Sequence, residues 1–192
     1  PAVMHPAWKD LDPYTLCEPW GADELAWLGL KFMSTANNHI MDWGPEGMYA
    51  TLDNLQRAGI AWAGAGADLA RAARPGYYES PAGRVAQVNC ASTFQNFYAA
   101  GEPHPYVLGR PGLNPLRLDR TVQVPPALYK ELVALDKEFL RLSGFAEFTD
   151  MLDTIAAQQA KDTIYFDETK VRQGERFDVL SLPRAADVRR VT

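Results

Sequence analysis

Residues 31–44 read KFMSTANNHIMDWG. An apolar, strand-like run through Leu30, Phe32 and Met33 gives way to the polar cluster Asn37, Asn38, His39 and Asp42, and Gly44-Pro45 then opens a helix. That order places polar chemistry at the carboxyl end of a strand, where loops of open α/β sheets turn their side chains into a shared crevice. An Asn carbonyl can ligate a hard or borderline cation, and an imidazole can ligate it or carry a proton. A structural role fits the same residues, because Asn tolerates left-handed backbone and caps helices. Both readings stand on the spacing alone.

Outward from this stretch the chain spells a strand–helix–strand unit. Pro45 suits a first helical turn and Glu46 suits the positive end of the helix dipole. Met48, Leu52 and Leu55 then form one apolar stripe, Gly59 ends the helix, and Ile60–Ala63 reads as a second strand. Leu30–Ala63 is therefore expected to be a parallel βαβ unit. Gly64-Ala65-Gly66 before a helix at Asp68–Ala73 fits either an anion on backbone N–H groups or a tight turn capped by Asp68. Upstream, Ala22–Leu28 reads as a short helix with Leu25 and Leu28 toward the core. Residues 1–20, with four prolines and three aromatics, read as an extended loop in which His5 is a solvated side chain.

Downstream, Tyr77–Glu79 and Arg84–Cys90 flank a short Gly-containing turn and predict a β-hairpin. It leads to Ser92, which has neither a GxSxG elbow nor a nearby His and is expected to serve as a hydrogen-bonding group. Phe94–Pro126 reads as a long Pro-, Gly- and aromatic-rich loop. Its Arg110, Arg117 and Arg120 are the local basic concentration, suited to planar capture of carboxylate or phosphate or to pairing with Glu102 and Asp119. Leu128, Leu132, Leu135, Phe139 and Leu142 mark a helix over Ala127–Leu142, and Phe148, Met151, Leu152 and Ile155 mark a second over Ala146–Gln159. Residues 126–160 are thus expected to form a helical insertion outside the main sheet. Residues 163–182 are expected to form a hairpin pairing Thr163–Asp167 with Arg176–Leu182 around Gln173-Gly174, with a final helix opening after Pro183.

A hydrophobic content of 47% against 22% charged residues excludes a disordered chain. The net charge of −5 gives no electrostatic reason to bind nucleic acid or an anionic membrane surface, so a polyanionic substrate would need a local basic patch. No apolar run reaches the length of a membrane span. Cys17 and Cys90 lack metal-site spacing; they could pair, although Cys90 reads as a buried small hydrophobe. The compartment stays undecided.

The run Ser34–Pro75, with its ANNH-x-x-D-x-G segment, helix and later GAG, closely resembles the signature of the CapA-type poly-γ-glutamate capsule-synthesis family, and GRPGLNPLR at Gly109–Arg117 resembles one branch of it. Residues 11–120 carry the resemblance best. It implies an α/β fold forming part of a two-sheet sandwich related to the calcineurin-like metallophosphoesterases, with divalent metal ions (Mn, Zn or Fe) bound at strand ends. Asn38 would be a metal ligand, His39 the residue assisting the leaving group and Asp42 a supporting acid, while Asn37, Ser92, Arg110 and Arg117 are the candidate substrate contacts. The expected partner is an anionic polymer or small anion, handled by a metal-dependent hydrolase or, alternatively, by a non-catalytic polymer-binding or assembly subunit. Family members also carry a strand ending in Gly-Asp, an Asn-Leu-Glu segment and a later His-rich strand end, none of which is found here. The chain is accordingly expected to be the middle of a longer protein, with an incomplete metal site, no activity by itself, and a sheet edge that invites self-association.

Overall fold

The apolar stripes and turn residues around the polar cluster produce the expected alternation of strand and helix. The computed structural model describes residues 16–142, 162–166 and 169–191. Helix α1 (Gly21–Trp27) precedes β1 (Phe32–Ser34), α2 (Gly44–Arg57) and β2 (Ala61–Ala63). β1 and β2 run parallel, with Phe32 opposite Ala61 and Ser34 opposite Ala63. α2 is their crossover. It turns Met48, Leu52 and Leu55 inward at 0%, 6% and 6% exposure, the stripe that the spacing predicts. Met48 and Leu52 join Met41, Ala65, Tyr98 and Leu113 in one core cluster.

Gly64 follows β2 with a φ of 108°, a backbone that only glycine adopts without strain. A Cβ there would stand 2.6 Å from the Ala36 Cβ. The chain then forms β3 (Ala65–Gly66) and the four-residue helix α3 (Leu69–Ala72), whose N-cap Asp68 accepts from Arg71 N–H at 2.7 Å. Gly64 therefore makes the bend, Ala65-Gly66 pair as a strand, and the N-terminus of the helix that follows already holds the Asp68 carboxylate. Strands β4 (Gly76–Ser80) and β5 (Gly83–Gln87) make the expected hairpin. Within the stretch read as loop, β6 (Gly112–Leu113) pairs antiparallel with β3, and Ala91 bridges Pro115.

The described chain divides into two units, one running to Arg117 and resuming at Arg184, the other formed by Leu118–Pro183. In the first, α5 (Ala185–Val191) is tied down by a buried polar network. Asp187, 1% exposed, accepts from the Arg117 N–H at 2.8 Å and from Arg117 Nη1 at 3.1 Å, and it also pairs with Arg190. Arg190 Nη1 in turn donates to Asn114 Oδ1 at 3.2 Å and to Pro115 O at 3.0 Å.

In the second unit, β7 (Leu118–Val124), β8 (Thr163–Phe166), β9 (Thr169–Gln173) and β10 (Asp178–Pro183) form a four-stranded sheet in the order β10-β7-β9-β8. Helix α4 (Pro126–Leu142) packs Tyr129, Leu128, Leu132 and Val133 against Val122, Val124, Ile164 and Val171.

Several expectations are corrected here. The partner of Thr163–Phe166 is Thr169–Gln173, whereas Asp178–Pro183 pairs with β7, a strand that was read as loop. The α4 stripe is inward only in its first half: Leu135, Phe139 and Leu142 are exposed, and Tyr129 takes an inner position instead. Leu28 is 64% exposed, leaving Ala22 as the buried side chain of α1. Cys17 and Cys90 are both free thiols, and Cys90 is only half-buried. The readings on residues 1–15, including His5, and on the helix at 146–159 lie outside the described residues.

Candidate functional site

Parallel pairing brings the end of β1 beside the end of β2, and Thr35 fixes the exit: both its N–H and its hydroxyl donate to Ala63 O at 2.9 Å. From Asn38 to Trp43 the chain winds in consecutive turns. Asn37 Oδ1 accepts the His39 N–H at 2.9 Å, a local side-chain turn that orders the backbone before His39. Asp42 N–H then donates to His39 O at 3.0 Å, which folds Asp42 back under the imidazole.

The result is a chain of contacts from surface to core. Asn38 Nδ2 lies 3.2 Å from His39 Nε2, His39 Nδ1 lies 2.8 Å from Asp42 Oδ2, and Tyr98 Oη donates to Asp42 Oδ1 at 3.3 Å. Burial is graded along it: the His39 side chain is 51% exposed, and Asp42 and Tyr98 are each 5% exposed. A carboxylate acceptor at Nδ1 places the ring proton on that nitrogen, leaving the Nε2 lone pair on the solvent side for a proton or a cation. Asn38 Nδ2 now donates to that lone pair. Asn38 must let go before Nε2 can serve anything else.

Among the described residues no group of three or more His, Cys, Asp or Glu is placed to hold a metal ion. The cluster supplies one exposed amide and one imidazole, which do not by themselves fit a resident metal centre, for which three protein ligands are the usual minimum.

Beside the cluster lies a cleft of about 720 Å³, walled by residues 16–19 and α1 on one side and by α2 on the other, with Asn37 and His39 on its lining. Arg57 holds the walls together, donating from Nη1 and Nη2 to the two Asp23 carboxylate oxygens at 2.7 and 3.1 Å and to Pro19 O at 3.2 Å. The hydrogen bond to Arg57 holds the Asp23 carboxyl below its ordinary value and raises the Arg57 guanidinium.

The other sequence candidates sit elsewhere in the same unit. Ser92 is exposed, one residue past Ala91, which packs against the core cluster that contains Met41 and Tyr98. Arg110 is exposed, and its Nε donates to Ala99 O at 2.8 Å. Arg117 is engaged with Asp187, seventy residues away in sequence. Tyr98 is the contact that sequence reading missed; it comes from a short 3-10 turn at Asn96–Tyr98 within the presumed loop.

A parallel strand pair with its crossover helix, carrying a polar relay at the strands' carboxyl ends, defines an α/β protein. The chain belongs to the family described as bacterial capsule synthesis protein PGA_cap, whose sequence model matches residues 4–160. It is similar to two proteins of Sinorhizobium fredii (strain NBRC 101917 / NGR234), uncharacterized protein y4sH and uncharacterized protein y4uA, each 39% identical over 143 residues, or 68% of this chain. The chain spans 31% of the length of these relatives. No helix of the described residues is long and apolar enough to cross a membrane.

Proposed function

We propose that the protein acts in capsule synthesis as a hydrolase on poly-γ-glutamate or a related anionic polymer, with His39 as the proton carrier of a reaction that the intact protein completes with metal. The observation that carries this is the relay itself: an imidazole exposed at Nε2 and held at Nδ1 by a carboxylate that is buried and hydrogen-bonded in turn. In hydrolysis water adds its oxygen to the acyl or phosphoryl centre, the bond to the leaving group breaks, and a proton passes to that group. His39 Nε2 takes the proton from water and returns it to the leaving atom, while Asp42 stabilises the charged ring between the two transfers. Asn38, with its exposed amide, fits one position of a metal shell whose other ligands these residues do not provide.

The split between two variants of the intact protein tests this. Asn38→Ala is expected to lower metal content measured by plasma emission, and His39→Ala to lower turnover by at least a hundredfold with metal content retained. Equal loss of metal in both variants would make His39 a ligand and overturn its assigned role.

A second reading, a subunit that holds the polymer without cleaving it, is favoured by Arg110, whose exposed guanidinium is anchored at Nε to Ala99 O and is suited to capture a carboxylate.

A further inference from the structure

The segment that carries Tyr98 is fixed from several sides. The Tyr98 N–H donates to Gln95 O at 2.8 Å, Ala99 bridges Leu113, and the Ala100 N–H donates to Leu113 O at 2.9 Å. Arg110 Nε holds the same segment by donating to Ala99 O at 2.8 Å. The Tyr98 carbonyl passes so close to Gly112 that a Cβ there would collide with it, which makes glycine a requirement of the approach. Residues 110–113 thus form the seat of Tyr98. Its ring packs with Met41, Met48, Leu52 and Leu113 in the core cluster and meets Phe97 edge-on at 4.7 Å between centroids. From that seat the hydroxyl reaches Asp42, and Asp42 is buried. Oδ2 meets His39 Nδ1 at 2.8 Å, Oδ1 receives Tyr98 Oη at 3.3 Å, and among the described residues each oxygen has that one partner. Opposite an ionised carboxylate a hydroxyl can only donate. The terminal torsion of an Asp side chain is broad, so one donor alone does not fix its plane. Losing the second donor would also leave a buried oxygen unpaired.

We propose that Tyr98 is a positioning residue for His39. It sets the plane of the Asp42 carboxylate, and Asp42 passes that orientation to the ring as a proton on Nδ1 and a lone pair at Nε2. Its bearing on the reaction rests on the reading of His39 as the proton carrier, whereas the tautomer it sets can be read without turnover. At 3.3 Å the bond is long for a hydroxyl on a carboxylate, so its loss should move the ring by a few-fold and not by the full effect of losing Asp42.

The test is the ratio of Nδ1-protonated to Nε2-protonated neutral His39, read by nitrogen NMR in the intact protein and in Tyr98→Phe, Asp42→Ala and the double variant. Tyr98→Phe keeps the ring and removes only the oxygen, and Asn38 is unchanged throughout, so its contact on Nε2 is common to all four proteins. Tyr98→Phe is expected to lower the ratio about threefold, and to lower it no further once Asp42 is alanine, because the hydroxyl then has no carboxylate to act through. An unchanged ratio in folded Tyr98→Phe, or an equal drop with and without Asp42, would overturn the positioning role and leave Tyr98 as core packing. A measurement on the wild type keeps the test alive if the variant does not fold: the Tyr98 hydroxyl proton should be visible and slow to exchange with water, and a hydroxyl in fast exchange would overturn the role as well. A ratio that follows Tyr98 through Asp42 in a protein that does not cleave the polymer would uphold the positioning and overturn the hydrolase. Cleavage that needs His39, with a ratio indifferent to Tyr98, would do the reverse.

Discussion

His39 is exposed on one side and held on the other by Asp42, which follows it closely in the chain. Two residues of turn, Ile40 and Met41, separate the two, a spacing that folds the carboxylate under the ring, and Asn37 secures the turn by accepting the His39 N–H. The second support, Tyr98 on Asp42 Oδ1, was not legible, because it is made across 56 residues by an aromatic with no periodic pattern around it. The arrangement fixes a tautomer. Nitrogen NMR of labelled protein should find the neutral His39 ring protonated at Nδ1, and Asp42→Asn should weaken that preference; a wild-type ring protonated at Nε2 would contradict the relay.

Helices whose apolar residues repeat along one face were readable, and strands made by distant pairing were not. The α2 stripe announces itself in Met48, Leu52 and Leu55. By contrast β7 alternates weakly and follows a stretch rich in Pro and Gly, so its strand character comes from pairing with β9 and β10, both far downstream. The same distance hid the anchoring of α5. Burial alone would raise the Asp187 carboxyl, but the Arg117 N–H, the Arg190 side chain and the two guanidinium charges outweigh it and hold the carboxyl below its ordinary value. A carboxyl depressed on folding adds stability that is fully present above its unfolded pKa, about 4, and is lost as the pH falls through the lower folded value. Asp187→Ala should therefore cost about 3 kcal/mol at neutral pH, since it strands two partly buried arginines, and its deficit relative to wild type should shrink on acidification below about pH 4. Urea titrations at several pH values measure this, and a deficit independent of pH would contradict the ionised clip.

At the scale of the molecule, the polypeptide leaves the first unit at Arg117 and rejoins it at Arg184, where Arg184 N–H donates to Arg117 O at 2.8 Å. The intervening strands therefore form an excursion that starts and ends at one point, and the first unit carries the whole relay and cleft. Sequence reading recognised the helix of that excursion but not its sheet. The β10 strand is an edge of that sheet among the described residues and exposes Val179 and Leu182 at 62% and 69%. Edges of this kind recruit partners, which keeps self-association a proposal for light scattering to examine. The decisive measurement concerns the polymer. Poly-γ-glutamate incubated with the metal-loaded intact protein should shorten, as read by size-exclusion chromatography, and His39→Ala should slow the shortening at least a hundredfold; equal shortening by wild type and variant, or none by either, would contradict the assignment of His39 as the proton carrier of a hydrolase.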